Sequence, residues 1–147
     1  MDRLHRRPSA RRAPRGGTAL TALAQRGYFI LYLTARPEWL VGRTQEWVRL
    51  RGFPPGIVHT TLGALGVSGN AAVTFKSGEL AALKTETGLA PEYGFGNRET
   101  DVSAYVAGQV THAYYYDLPN VDLHGGTNHR DYAGLIPSFA ALPARCP

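Results

Sequence analysis

Cysteine is nearly absent from this chain: Cys146, next to last of 147 residues, stands alone. No intrachain disulfide can therefore staple the fold, and a reducing, cytoplasmic setting is the expected one. A lone thiol at a chain end reads as solvated rather than catalytic. Long apolar runs are missing as well, since no stretch approaches the roughly 18 to 20 continuous apolar residues of a membrane span. No internal repeat is visible. The folded body also lacks any surplus of charge. Arg3, Arg6, Arg7, Arg11, Arg12 and Arg15 against Asp2 account for the whole net charge of +5, and the other 130 residues carry ten basic and ten acidic side chains. That distribution argues against a specific nucleic-acid-binding function.

What is present is the composition of a globular protein, 44% apolar or aromatic and 18% charged, long enough for one domain with a real core. Residues 1–17 are rich in Arg, Pro and Gly without hydrophobic periodicity and read as a disordered tail. Such a tail suits nonspecific contact with phosphate backbones or anionic lipid, or an Arg-rich targeting segment. A folded domain is expected over 18–137. The prolines at 137, 143 and 147 predict an irregular tail over 138–147.

Within the body, Gly27-Tyr-Phe-Ile-Leu-Tyr-Leu-Thr-Ala-Arg-Pro37 organises the rest. Its unbroken apolar run predicts a strand over 28–34 covered on both faces, preceded by a helix over 18–26. Pro37 and Glu38 suit the first turn of a helix reaching about Arg51, which Gly52 ends. Further strands are predicted at 57–61, 93–96 and 112–116, and helices at 77–87 and 100–107. The glycine-bearing stretch 62–73 reads as a loop. Residues 131–136 read as a short closing helix, and His124 and His129 as exposed imidazoles of a Gly-rich turn. Strands alternating with helices at this spacing predict an α/β fold with a three-layer, Rossmann-like parallel sheet.

Polar groups recur at comparable places in successive units. Thr34 ends the first strand, Lys76 precedes a helix, and Gly96-Asn-Arg-Glu-Thr-Asp101 follows a third strand. Parallel strands would gather all three at the carboxyl edge, where open α/β sheets bind ligands. A hydroxyl, backbone N–H groups at a helix start and a lysine make an anion site of phosphate type. Asn97 and Asp101 add oxygen ligands of the kind Mg²⁺ takes. The competing uses are ordinary ones: Thr34 as a helix cap, Lys76 as a solvated lysine, Arg36 paired with Asp101 or Glu38, and Asn97, Arg98 and Asp101 as a turn and cap.

The order of these groups resembles the haloacid-dehalogenase superfamily of phosphohydrolases. It is most similar to the LNS2 domain of its lipin-like branch, shared by lipin phosphatidate phosphatases and some phosphatidylinositol-transfer proteins. Tyr28-Phe-Ile-Leu-Tyr-Leu-Thr-Ala-Arg-Pro37 looks like the family's second motif, Phe75-Lys76 like the third, and Phe95-Gly-Asn-Arg-Glu-Thr-Asp-Val102 like the fourth. The resemblance covers roughly residues 18–118. It implies a Mg²⁺-dependent phosphohydrolase of phosphatidate or another phosphomonoester, in peripheral contact with a membrane. Thr34, Ala35, Arg36 and Lys76 would hold the phosphate, and Asn97 and Asp101 the metal.

One motif of the family has no counterpart. The Asp-x-Asp-x-Thr that ends its opening strand supplies the nucleophile and the general acid/base, and these 147 residues contain no Asp-x-Asp. A sheet lacking its first strand is therefore expected, and without a carboxylate nucleophile no phospho-aspartyl intermediate forms. Three explanations stay open at this point: a fragment of an ordinary phosphatase, a pseudoenzyme that keeps phosphate recognition, or an interaction module.

Overall fold

The structure, a computed structural model, describes residues 15–63 and 66–145. The elements are α1 (Gly16–Ala24), β1 (Leu31–Pro37), a single 3-10 turn (Glu38–Leu40) running into α2 (Val41–Leu50), and β2 (Ile57–Thr61). α3 (Gly69–Thr87), β3 (Tyr93–Gly96), α4 (Glu99–Ala107) and β4 (His112–Tyr116) follow. A short β5 (Thr127–His129) and a second 3-10 turn (Ala133–Leu135) running into α5 (Ile136–Ala140) complete the elements of the described residues. The alternation is that of an α/β fold, and every strand pair is parallel. The strands form two sheets, β1-β2 and β3-β4-β5, with no hydrogen-bonded pairing between β1 and β3.

Side-chain alternation along β4 shows the layering. Tyr114 and Tyr116 join the cluster of Ala19, Ala22 and Leu23 from α1 and Phe139 from α5, together with Tyr93, Phe95 and Tyr132. Tyr115, one residue out of phase, is buried on the opposite face and stacks on Tyr105 of α4 at 6.0 Å between ring centroids. α3 packs on α4 and reaches β1 on that side. Helices thus cover both faces of the β3-β4-β5 sheet, the three-layer arrangement that the alternation of strands and helices predicts.

Several boundaries differ from the sequence reading. β1 covers Leu31–Pro37 rather than 28–34, because Tyr28 donates its N–H to Leu23 at the end of α1 and pairing with β2 begins only at Leu31↔Ile57. α3 starts at Gly69, so 69–73 is helix where a loop was expected, and Lys76 lies inside the helix rather than before it. Its buried residues Ala72, Lys76 and Leu80 recur every fourth position on one face. That burial outweighs the roughly 1 kcal/mol cost of carrying Gly78 in a helix interior. β5 replaces part of the expected Gly-rich turn; its Thr-Asn-His sequence has no apolar alternation to announce it.

The outermost helices also reach beyond the expected element bounds. α1 begins at Gly16, two residues before the expected boundary, with Gly16 and Gly17 both buried. The expected disorder of the tail falls otherwise on residues 1–14, which lie outside the described residues. At the other end, 138–147 is not irregular throughout, since α5 runs to Ala140 and buries Phe139. Pro137 sits in the first turn of that helix, where its missing N–H costs nothing. Arg145 then anchors the chain by donating its N–H to Arg26 and pairing its guanidinium with Glu92 at 2.5 Å.

Candidate functional site

β1 carries Thr34 in mid-strand, and the N–H of Arg36 donates to its hydroxyl at 3.3 Å. Thr34 therefore bends its own strand end instead of capping the next helix; the 3-10 turn after Pro37 has no side-chain cap. Register is disturbed between Leu33 and Pro37, where β1 stops following β2 residue for residue. Arg36 is exposed and makes no ion pair among the described residues, so neither Asp101 nor Glu38 is its partner.

α3 and α4 bring Lys76 and Asp101 together. Both are buried, at 8% and 6% exposure, and the Lys76 ammonium donates to Asp101 Oδ1 in a short ion pair. The other carboxylate oxygen accepts the N–H of Asn97 at 2.9 Å and of Arg98 at 3.1 Å. Asp101 thus caps its own helix across the turn that follows β3 while neutralising a lysine from another helix. Lys76 is not the solvated surface lysine that its isolated position in the sequence allowed. Asn97 and Arg98 enter this arrangement through their backbone.

Two neighbours make the turn rigid. Gly96 lies against Asp101 so closely that a Cβ there would sit 2.5 Å from the Asp101 Cβ. Tyr105 of α4 reaches back and donates its hydroxyl to the Phe95 carbonyl at 2.6 Å. Burial, with the Asp101 charge second, pushes the Tyr105 phenol well above 10. The same two causes push Tyr115 up to about 12 and Tyr132 higher still. The sequence marks Tyr105 only as an inward position of a helix. A further signal was the glycine at 94, whose Cβ would fall 2.9 Å from the Tyr105 ring, so that only a residue without one leaves the ring its place. Thr61 was also missed: it is buried at the end of β2, opposite Pro37, and accepts the N–H of Gly63 at 3.0 Å.

Chemically the arrangement is a neutralised lysine with capacity to spare. An ammonium has three donors, and Asp101 takes one, leaving two for an anion. The carboxylate is less available. Its oxygens already accept two backbone N–H groups and the lysine, and no group of three or more His, Cys, Asp or Glu able to hold a metal exists among the described residues. Mg²⁺ keeps near-octahedral oxygen coordination, with one or two carboxylates and several waters. Asn97 and Asp101 as placed here do not by themselves make that site.

In a comparison with protein families, the family described as PITM 1-3, LNS2 domain, matches residues 7–118. Comparison with curated proteins gives no match. The matched segment takes in α1 to β4 with Thr34, Lys76 and the 96–101 turn, and spans most of the chain. On that match and the parallel α/β architecture, the chain belongs to the LNS2 family, related to the haloacid-dehalogenase-like phosphatases.

Proposed function

We propose that this chain presents the phosphate-holding part of a lipin-like phosphohydrolase site and binds a phosphomonoester, with a phosphatidate-type lipid headgroup as the ligand class, without turning it over. The observation that carries the reading is the buried Lys76, fixed by Asp101 with donors left over, in a chain of the LNS2 family. The Thr34 hydroxyl and the backbone of Ala35 supply further donors at the strand end, where the Arg36 N–H is already donated to Thr34 Oγ1, and the exposed Arg36 guanidinium suits a bidentate phosphate contact. Turnover through a covalent intermediate needs a carboxylate nucleophile, and the sequence holds no Asp-x-Asp to provide one. Mg²⁺, which the family generally uses, would act as a Lewis acid on the phosphoryl oxygens in a complete site. Here the residues that would face it are Asn97 and Asp101.

The reading predicts peripheral contact with a membrane surface through the headgroup, in a cytoplasmic setting. No helix of the described residues is long and apolar enough to cross a membrane. The test is sedimentation with vesicles of phosphatidylcholine with and without phosphatidate, using the intact chain, Lys76→Met, Thr34→Ala and a chain lacking residues 1–17. Saturable phosphatidate-dependent binding that falls about tenfold in Lys76→Met and Thr34→Ala supports the proposal. Binding lost only with residues 1–17 assigns it to the Arg-rich segment and overturns it. Mg²⁺-dependent release of phosphate from phosphatidate or an aryl phosphate, abolished in Asp101→Ala, would overturn the claim of no turnover.

A further inference from the structure

Two inward-facing phenols have backbone acceptors: Tyr105 donates its hydroxyl to the Phe95 carbonyl and Tyr132 to that of Tyr114. Tyr115 differs. It is only 1% exposed, yet its hydroxyl makes no hydrogen bond among the described residues. Every side-chain nitrogen or oxygen among them that is shut off from solvent has a partner, so the Tyr115 hydroxyl is not shut off, and the trace of surface that the residue keeps includes that oxygen. A buried phenol normally finds its partner within the protein, and one that does not needs a reason.

Tyr115 lines a cavity of about 330 Å³. Residues 109–111 lead into β4 and 123–126 into β5, so this cavity lies at the amino edge of the parallel sheet, on the α4 face, whereas the 96–101 turn stands at the carboxyl edge. The stacked rings of Tyr105 and Tyr115 give it an aromatic side, and Val106, Val110 and Leu123 an aliphatic one. The turn before β5 is drawn onto the Tyr115 ring: a Cβ on Gly126 would sit 2.5 Å from Tyr115 Cε2, and left-handed φ angles at His124 and Gly125 bend the chain there. This is the start of the His124-Gly-Gly-Thr-Asn-His129 stretch, which the phosphate site leaves unused. At the opening, Gln109 gives its amide oxygen to Lys84 at 3.0 Å and keeps both amide N–H groups for another partner.

We propose that this cavity is a second ligand site, taking a small uncharged molecule with a carbonyl on an aromatic or branched apolar body. The Tyr115 hydroxyl and the Gln109 amide are donors in want of an acceptor, which a carbonyl oxygen supplies. A cation has no counter-charge there, since no Asp or Glu lines the cavity. Asp122, just before it in the chain, is turned to His124, whose N–H it accepts at 2.9 Å and whose imidazole it faces at 3.8 Å. An anion gains little either: the negative end of the α4 dipole adjoins the cavity and opposes the pull of the Lys84 ammonium behind Gln109. The body of the ligand lies against the tyrosine rings, Val106 and Leu123, in a volume at the small end of those that ligand pockets have.

The test is NMR titration of the full 147-residue chain with acetophenone, and with benzoate and benzylamine as charged molecules of similar size. Acetophenone should shift the amides of Ala113, Gly125 and Gly126 saturably, and the two charged molecules should bind at least about fivefold more weakly. Tyr115→Phe and Gln109→Ala should each weaken acetophenone about fivefold, the loss of one neutral hydrogen bond, and Lys76→Met should leave it unchanged. Because the Tyr115 hydroxyl has no partner in the protein, Tyr115→Phe without ligand should keep or raise the urea midpoint. A lowered midpoint would show that the hydroxyl has a protein partner after all. Absence of a saturable shift would show that the cavity holds no such ligand, and equal binding of benzylamine or benzoate would show apolar adsorption without recognition of the carbonyl. Unchanged binding in either Tyr115→Phe or Gln109→Ala would remove the donors from the site, and binding lost in Lys76→Met would place the molecule at the carboxyl edge instead. Any of these results overturns the proposal.

Discussion

Lys76 and Asp101 lie 25 positions apart, on neighbouring helices, and form a buried ion pair whose carboxylate also holds the turn between β3 and α4. The two partners are not equivalent. Lys76 gives one charge to the pair, whereas Asp101 gives one charge and receives two backbone N–H groups.

Removing either partner leaves the other buried and unpaired, which typically costs about 3–5 kcal/mol. Asp101→Ala should fall at the upper end, since Asn97 and Arg98 lose their acceptor as well, and Lys76→Met at or below the lower end. Urea denaturation of the two variants measures the order. A Lys76→Met chain less stable than Asp101→Ala would show that the carboxylate does not organise the turn. Thr34→Ala, which loses only a bond within its own strand end, should shift stability by less than about 0.5 kcal/mol.

Gly96 and Gly94 are held by close approach. An added Cβ would meet the Asp101 Cβ at 2.5 Å in one case and the Tyr105 ring at 2.9 Å in the other. Gly96→Ala and Gly94→Ala should each destabilise by about 1–3 kcal/mol, as overpacking does. The two are separable by readout. Gly96→Ala should disturb the amide resonances of Asn97 and Arg98, and Gly94→Ala those of α4 around Tyr105.

At alkaline pH the buried phenols couple ionisation to unfolding. Tyr32 and Tyr115 are pushed up to about 12 by burial, and Tyr105 is raised as well. A phenol raised above its ordinary value near 10 binds its proton more tightly when folded. Its stabilising contribution is complete below pH 10 and is lost as pH rises from there through the folded value. Ultraviolet titration should show part of the tyrosine absorbance change arriving only with unfolding. Tyr105→Phe loses the bond to Phe95 and should cost about 1 kcal/mol at neutral pH. Full tyrosinate absorbance near pH 10 without loss of structure would contradict the burial.

At acid pH His129 acts in the same sense from the other side. Burial among Tyr114 and Tyr132 lowers its value below the ordinary 6.5. The unfolded chain then binds the proton first, so stability should decline as pH drops below about 6.5. His129→Gln should flatten that decline between pH 7 and 5 in denaturation experiments, and an unchanged slope would place its origin elsewhere.

Much of the molecule was legible because the signals are local. The apolar run before Thr34 announces a strand, the Gly52 and Gly88 stops announce helix ends, and β2, β3 and β4 fall where 57–61, 93–96 and 112–116 were expected. The family was legible in the order of Thr34, Phe75-Lys76 and the 96–101 turn, which the match over 7–118 bears out. α3 was cut short because Gly69 and Asn70, coming after Gly63 and Gly66, read as loop when their neighbours across the fold are unknown, and β5 escaped because Thr-Asn-His has no pattern of its own.

The sequence by itself thus determined the alternation of strands and helices, the parallel α/β class and the family, since periodicity, stop residues and motif order need only near neighbours along the chain. Tertiary structure alone decided that Lys76 is buried against Asp101, that Tyr105 closes on Phe95, and that β1 and β3 do not pair. Each of those depends on which distant segments meet in space. Whether a lysine is solvated or neutralised, and whether a strand edge is satisfied or open, is set by partners across the fold and not by the residues on either side.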